Sequence, residues 1–131
     1  MHTHQREIQI YYNPDSPSDR RCVAHARSMG TSVKTYDYAK TPSNGTSWRQ
    51  IIKNLDCHPK ELMDKSHPYY QANIRGRDFH MTGWLEILRR NPFLLRAPIA
   101  MRGARAVLCQ SPTDIYKLTE REGVRHGRTV A

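Results

Sequence analysis

The spacing of apolar residues changes several times along the chain, and each change predicts an element. "EIQIYY" (7–12) alternates and is rich in Ile and Tyr, so it predicts a first strand. "SPSDRRCVAHARSMG" (16–30) predicts a helix. Ser16 is a natural N-cap, Pro17 fits the first helical position, Asp19 suits the positive helix end, and Gly30 suits the exit. "TSVKTYDY" (31–38), with its β-branched and aromatic residues, predicts a second strand, and "AKTPSNGTS" after it is a loop of turn residues. Trp48, Ile51, Ile52 and Leu55 then recur on one helical face, with Ser47 as the expected cap. A further short helix is expected over 58–66 after Pro59, followed by an irregular polar connector, "HPYYQANIRGRDF". Thr82 is the expected cap of a helix carrying Trp84, Leu85 and Leu88 as its apolar stripe. Arg89 and Arg90 sit at the negative end of that helix, and Asn91-Pro92 is its stop. "PIAMRGARAVLC" (98–109) reads as two short strands about a turn at Gly103, and Ser111-Pro112 opens a last short helix, "TDIYKL".

The resulting order is β-α-β, then inserted helices, then β-β-α. A β-α-β start requires parallel strands joined by a crossover helix, and a hairpin then completes the sheet. The expected fold is therefore an α/β, thioredoxin-like (glutaredoxin-like) domain with a mixed four-stranded sheet. Its ordered part is expected to span 6–118. Residues 1–5 read as a frayed start, and 119–131, charged and without core residues, as a disordered tail.

Composition narrows the partners. The chain has 131 residues, enough for one domain with one modest core, and only 37% of them are apolar. The net charge is +9, with 21 Lys and Arg against 12 Asp and Glu. Basic chains of this kind meet nucleic acid, acidic partners or small anions. The charge is scattered, with no basic run and no nucleic-acid-binding motif, so direct nucleic-acid binding is not expected. No stretch approaches the ~18 apolar residues of a membrane-spanning helix, and the polar N-terminus "MHTHQREIQ" does not read as a signal peptide. Three cysteines, Cys22, Cys57 and Cys109, form no C-x-x-C pair, which fits free thiols in a reducing cytoplasm.

Two stretches carry a family resemblance. "IQIYYNP" before a Ser-Pro helix, and "NPFLLRAPIA" followed by a short hairpin and "SPTDIYKL", resemble the bacterial arsenate reductase (ArsC/Spx) family. "LLRAPI" is the most specific part. The resemblance covers about residues 6 to 118. It implies a cis peptide bond at Ala97-Pro98. It also implies an oxyanion-attacking cysteine at the entry to the first helix, and that position is occupied by Ser16. Asp19 stands where the second cysteine of the family's redox-sensing regulators would be. Of the three arginines that surround the anion in the reductases, the first falls on Asp64, the second on Arg96 and the third on Gln110.

Serine is a far weaker acid than a thiol, and no adjacent base is visible to activate it. Each lost charge-assisted contact to an anion is worth roughly 1.5–3 kcal/mol. The expectation is a catalytically degenerate member of that family. It would bind a protein partner or a small anion such as glutathione, and the resemblance to the Spx branch implies RNA polymerase and transcriptional regulation. Asn13, Ser16, Arg20, Arg96 and Pro98 are the candidate binding residues. The alternative is a thiol-linked oxidoreductase using a displaced cysteine, with Cys109 as the candidate. Cys22 reads as a small buried apolar residue. A metal site from Cys57, His58 and His67 fails on spacing, and nothing in the sequence calls for a cofactor. Tyr69 and Tyr70 are candidate interface residues, with packing over the core as the other reading.

Overall fold

A computed structural model gives the structure, which describes residues 7–30, 32–38, 40 and 45–119. The expected frayed start and disordered tail fall outside these residues, apart from Thr119.

Four strands make one mixed sheet in the order β2-β1-β3-β4. β1 (Ile8–Tyr12) runs parallel to β2 (Val33–Asp37), with Ile8 opposite Val33 and Tyr12 opposite Asp37. On its other side β1 pairs antiparallel with β3 (Ile99–Arg102), and β3 pairs antiparallel with β4 (Arg105–Leu108). Gly103 has φ +61° at the β3–β4 turn, a left-handed conformation that costs other residues energy. The crossover between β1 and β2 is the helix α1 (Pro17–Ser28), as the pattern predicted.

The alternation in β1 builds two cores. Ile8 and Ile10, both without solvent exposure, face α1 and the closing 3₁₀ segment Pro112–Thr119. There they pack with Cys22, Val23, Ala26, Ala100, Cys109, Ile115 and Leu118. The other core gathers α2 (Gly45–Leu55) and α4 (Met81–Arg90) around Trp48, Trp84, Leu85, Leu88 and Ile99. Tyr11, on the alternate face of β1, stacks on Tyr36 at 5.4 Å and meets Trp48 edge-on at 6.3 Å.

Four local expectations change. α2 begins at Gly45, so Ser47 lies within the helix rather than before it. The helix at 58–66 is a single 3₁₀ turn, Pro59–Leu62. The polar connector contains a helix, α3 (Pro68–Asn73). Thr82 lies in the first turn of α4, whose cap position is His80. α3 and the 3₁₀ turn share a device. His58 Nδ1 accepts from the Lys60 N–H at 3.0 Å, and His67 Nδ1 accepts from the Tyr69 N–H at 3.0 Å. Each imidazole does the work of a Ser or Asp cap ahead of a proline that needs no N–H partner.

Candidate functional site: the entrance of the first helix

Topology gathers the candidate residues at one end of the sheet. β1 ends at Tyr12, so Asn13 and Ser16 lie at the carboxyl end of a central strand, where open α/β sheets place their sites. The Tyr11–Ile99 pairing brings Pro98 and Arg96 to the same end. The Pro98 carbonyl accepts the Cys109 N–H at 2.8 Å, which brings Gln110 alongside. The expected cis bond at Ala97–Pro98 is not there. All peptide bonds among the described residues are trans, the intrinsically favoured isomer even before proline.

The helix entrance is closed on itself. Ser16 caps α1: its Oγ accepts the Asp19 N–H at 3.2 Å and donates to Asp19 Oδ1 at 3.2 Å. Asp19 Oδ2 in turn accepts the Asn13 N–H at 2.9 Å. The Asp15 N–H goes to Asn13 Oδ1, the Ser16 N–H to the Asn13 carbonyl, and the Arg20 N–H to the Ser16 carbonyl. Pro14 and Pro17 have no N–H to offer. A helix start can hold an anion through such amides, and here those of Asn13, Asp15, Ser16, Asp19 and Arg20 go to the chain's own acceptors.

The local field is negative as well. The Tyr38 hydroxyl is pushed above its ordinary range, first by burial and then by the carboxylates of Asp19, Asp37 and Asp15. Asp19 itself is pushed up by burial, against the lowering by its bonds from Asn13 and Ser16.

The cations are turned into the scaffold. Arg20 Nη1 donates to the Pro14 carbonyl at 2.8 Å, tying the loop to the helix. Arg96 Nε donates to the Glu61 carbonyl at 2.7 Å, and its Nη1 donates to Gln110 Oε1 at 3.3 Å. Together with the Arg96 N–H to the Leu62 carbonyl at 2.9 Å and a bridge between Met63 and Leu95, these bonds fasten residues 61–63 to 95–96. Asp64 accepts from the Ser66 hydroxyl and amide, which hold its carboxyl below the ordinary range.

None of the thiols is an exposed nucleophile. Cys109 is 3% exposed, and a hydrogen bond to Cys22 together with burial pushes its thiol far up. The residue lies in the core behind α1, whereas a residual reactive thiol was expected at the sheet end. Cys22 is buried, as expected, and burial holds the Cys57 thiol above its ordinary range. Sequence reasoning missed the imidazole caps and the exposed aromatic cluster that Phe93 forms around Tyr69. In that cluster Phe93 lies 5.0 Å from His67 and 5.7 Å from Tyr69, while Tyr70 is buried.

Solved structures superpose on this fold. An arsenate reductase from Vibrio cholerae superposes with a TM-score of 0.79 at 16% identity, covering 86% of this chain and 98% of that one. The fold is that of the arsenate reductase structures. A Yersinia pestis protein provisionally named an arsenate reductase gives a TM-score of 0.78 at 21% identity, covering 84% and 98%. An arsenate reductase (ArsC) related protein from Brucella melitensis gives 0.64 at 11% identity, covering 92% and 100%. No family model and no curated protein matches the chain. Among the described residues no helix is long and apolar enough to cross a membrane.

Proposed function

We propose that this chain belongs to the arsenate reductase (ArsC/Spx) family, has lost the reductase chemistry, and acts by binding a protein partner. The observation that carries this reading is the Asp19 carboxylate. It sits in the helix entrance, bonded to the Asn13 N–H and to Ser16, where the resemblance would put a thiol and an oxyanion. Anion capture there would have to displace a built-in carboxylate in a field already set by Asp15 and Asp37. The small-anion form of the binding reading is therefore the weaker one.

What remains for recognition is side-chain surface. Tyr69 and Phe93 are exposed and touch each other, and aromatic residues of this kind are enriched at protein interfaces. By resemblance to the Spx branch, the partner proposed is RNA polymerase. Affinity capture of the tagged full chain from its own cell lysate, compared with a Phe93→Ala, Tyr69→Ala variant, tests this. Recovery of polymerase subunits by the wild type and not by the variant supports the reading. Glutathione-dependent reduction of arsenate by the wild-type chain would overturn it.

A further inference from the structure

His67 ties together the parts of the exposed aromatic surface. It is the N-cap of α3, a helix of six residues. Its Nδ1 accepts the Tyr69 N–H at 3.0 Å, and its carbonyl accepts the Gln71 N–H at 3.0 Å. Its ring lies 5.0 Å from Phe93, which meets Tyr69 edge-on at 5.7 Å. Helices this short are marginal by themselves, so a cap weighs heavily. The buried Tyr70 and Ile74 anchor the inner side of α3. The exposed first turn, which carries Tyr69, is held by the imidazole.

Only the neutral ring, with its proton on Nε2, can accept at Nδ1. The imidazolium carries a proton on both nitrogens and only donates. Imidazole is also the side chain that ordinarily changes charge between pH ~5 and ~8. The titratable and charged groups around this ring are Tyr69 from α3, and Asp64 and Lys65 from the turn before the cap. The segment Pro92–Leu94 brings Phe93 and no charge. The His67 N–H donates to the Asp64 carbonyl at 3.1 Å. The Asp64 carboxyl, held below its ordinary range first by the Ser66 hydroxyl, is lowered also by the charge of His67. The cap therefore draws the neutral ring and the carboxylate draws the charged one. Opposite pulls on one ring are what a proton switch requires.

We infer that His67 is a proton-sensitive lock on the aromatic surface: the neutral ring caps α3 beside Phe93, and the imidazolium releases the first turn with Tyr69. On protonation the new Nδ1–H faces the Tyr69 N–H, donor against donor, so the ring must turn away. The cap is present at the higher pH and is lost as pH falls through the imidazole range. The inference rests on the partner-binding reading, for which it supplies a regulation: binding weakens on acidification. His58 caps the neighbouring 3₁₀ turn in the same way, through the Lys60 N–H, but it stands against the buried Trp84 and not at this surface.

The test is an NMR titration of the nitrogen-15-labelled full chain from pH ~7.5 to ~5, following the His67 ring nitrogens and the Tyr69 amide. The Tyr69 amide should shift with the midpoint of the His67 ring, and its protection from exchange should fall about five-fold, as for a typical lost cap. In His67→Asn, whose side chain caps without titrating, the Tyr69 amide should stay protected at both ends. Capture of polymerase subunits should drop at the lower pH for the wild type and hold for His67→Asn. A Tyr69 amide that ignores the His67 titration, or that shifts equally in His67→Asn, would overturn the inference. The titration of the unaltered chain decides the lock even if the variant folds poorly. Capture of nothing at either pH tells against the binding reading alone.

Discussion

Replacing Ser16 by alanine separates a cap from a catalytic remnant. The Ser16 hydroxyl makes two bonds, one from the Asp19 N–H and one to the Asp19 carboxylate, each at 3.2 Å. Alanine leaves the helix amide without its acceptor and the carboxylate without one of its donors. Cap removal alone typically costs about 1 kcal/mol. The lost bond to a charged acceptor adds to this, but both bonds are long and the site is half-buried, so the sum stays near ~1–2 kcal/mol. For a chain of this size that is a fall of about 4–8 °C in the unfolding midpoint.

The assay is thermal or urea unfolding followed by circular dichroism, with Ser16→Thr as the control that restores the hydroxyl. Ser16→Cys should behave like the alanine variant in stability, because a thiol is a poor acceptor. It should also fail to gain arsenate reduction, since a thiol beside the Asp19 carboxylate is held in its protonated, unreactive form. A Ser16→Ala variant as stable as the wild type would refute the capping argument. Arsenate turnover by Ser16→Cys alone would refute the claim that Asp19 blocks the entrance.

Other outcomes follow from the same structure. Asp19 titrates above its ordinary value in the folded chain, so its contribution to stability is fully present below the unfolded carboxylate value and is lost as pH rises through the folded one. Asp19→Asn should therefore cost more stability below pH ~4 than at pH ~7, and urea unfolding at the two pH values measures this. Glu86 is bonded by both Arg89 and Arg90, which lower its carboxyl to about 2. Its contribution is present above the unfolded carboxylate value and is lost as pH falls toward about 2. Carbon-detected NMR titration should show that midpoint in low salt and a return toward the ordinary value in high salt, because both ion pairs lie at the surface. Gly103→Ala should cost about 1–2 kcal/mol in urea unfolding, purely for the left-handed backbone, since nothing stands within 4 Å of the added carbon.

The parts of the fold that were legible are those in which neighbouring residues speak for themselves. Strict alternation gave β1. Ser16-Pro17 gave the start of α1 to the residue, and Gly103 gave the hairpin turn. The errors have particular causes. α3 was hidden because its cap is the imidazole of His67, a residue outside the usual capping set, and its surface is polar. α4 starts ahead of Thr82 because Trp84 must reach the core, where it packs on Phe79 at 4.9 Å and His58 at 5.2 Å. At the candidate site, the cap of the first helix was legible as Ser16. The reason that an anion is unwelcome was not. Asp15, Asp19 and Asp37 act on one tyrosine only because β1 and β2 run parallel and end together, and that convergence is a property of the fold.

The net charge of +9 therefore misleads about this sheet end. Two arginines were expected to offer positive charge to a ligand there, yet each also donates to the chain, Arg20 through Nη1 and Arg96 through Nε and Nη1. Arg20 fixes the loop at Pro14, and Arg96 fixes the crossing of residues 61–63 with 95–96. An exposed guanidinium held by one or two such bonds still carries its charge, but its direction is set by the chain. The same economy appears at Gln110, where the resemblance expects a third arginine and the residue present instead accepts a bond from Arg96. Cations that converge on one point repel one another unless an anion between them offsets the repulsion. With Asp64 and Gln110 at the other two positions that the resemblance gives, Arg96 bonds the Glu61 carbonyl and Gln110 Oε1 instead.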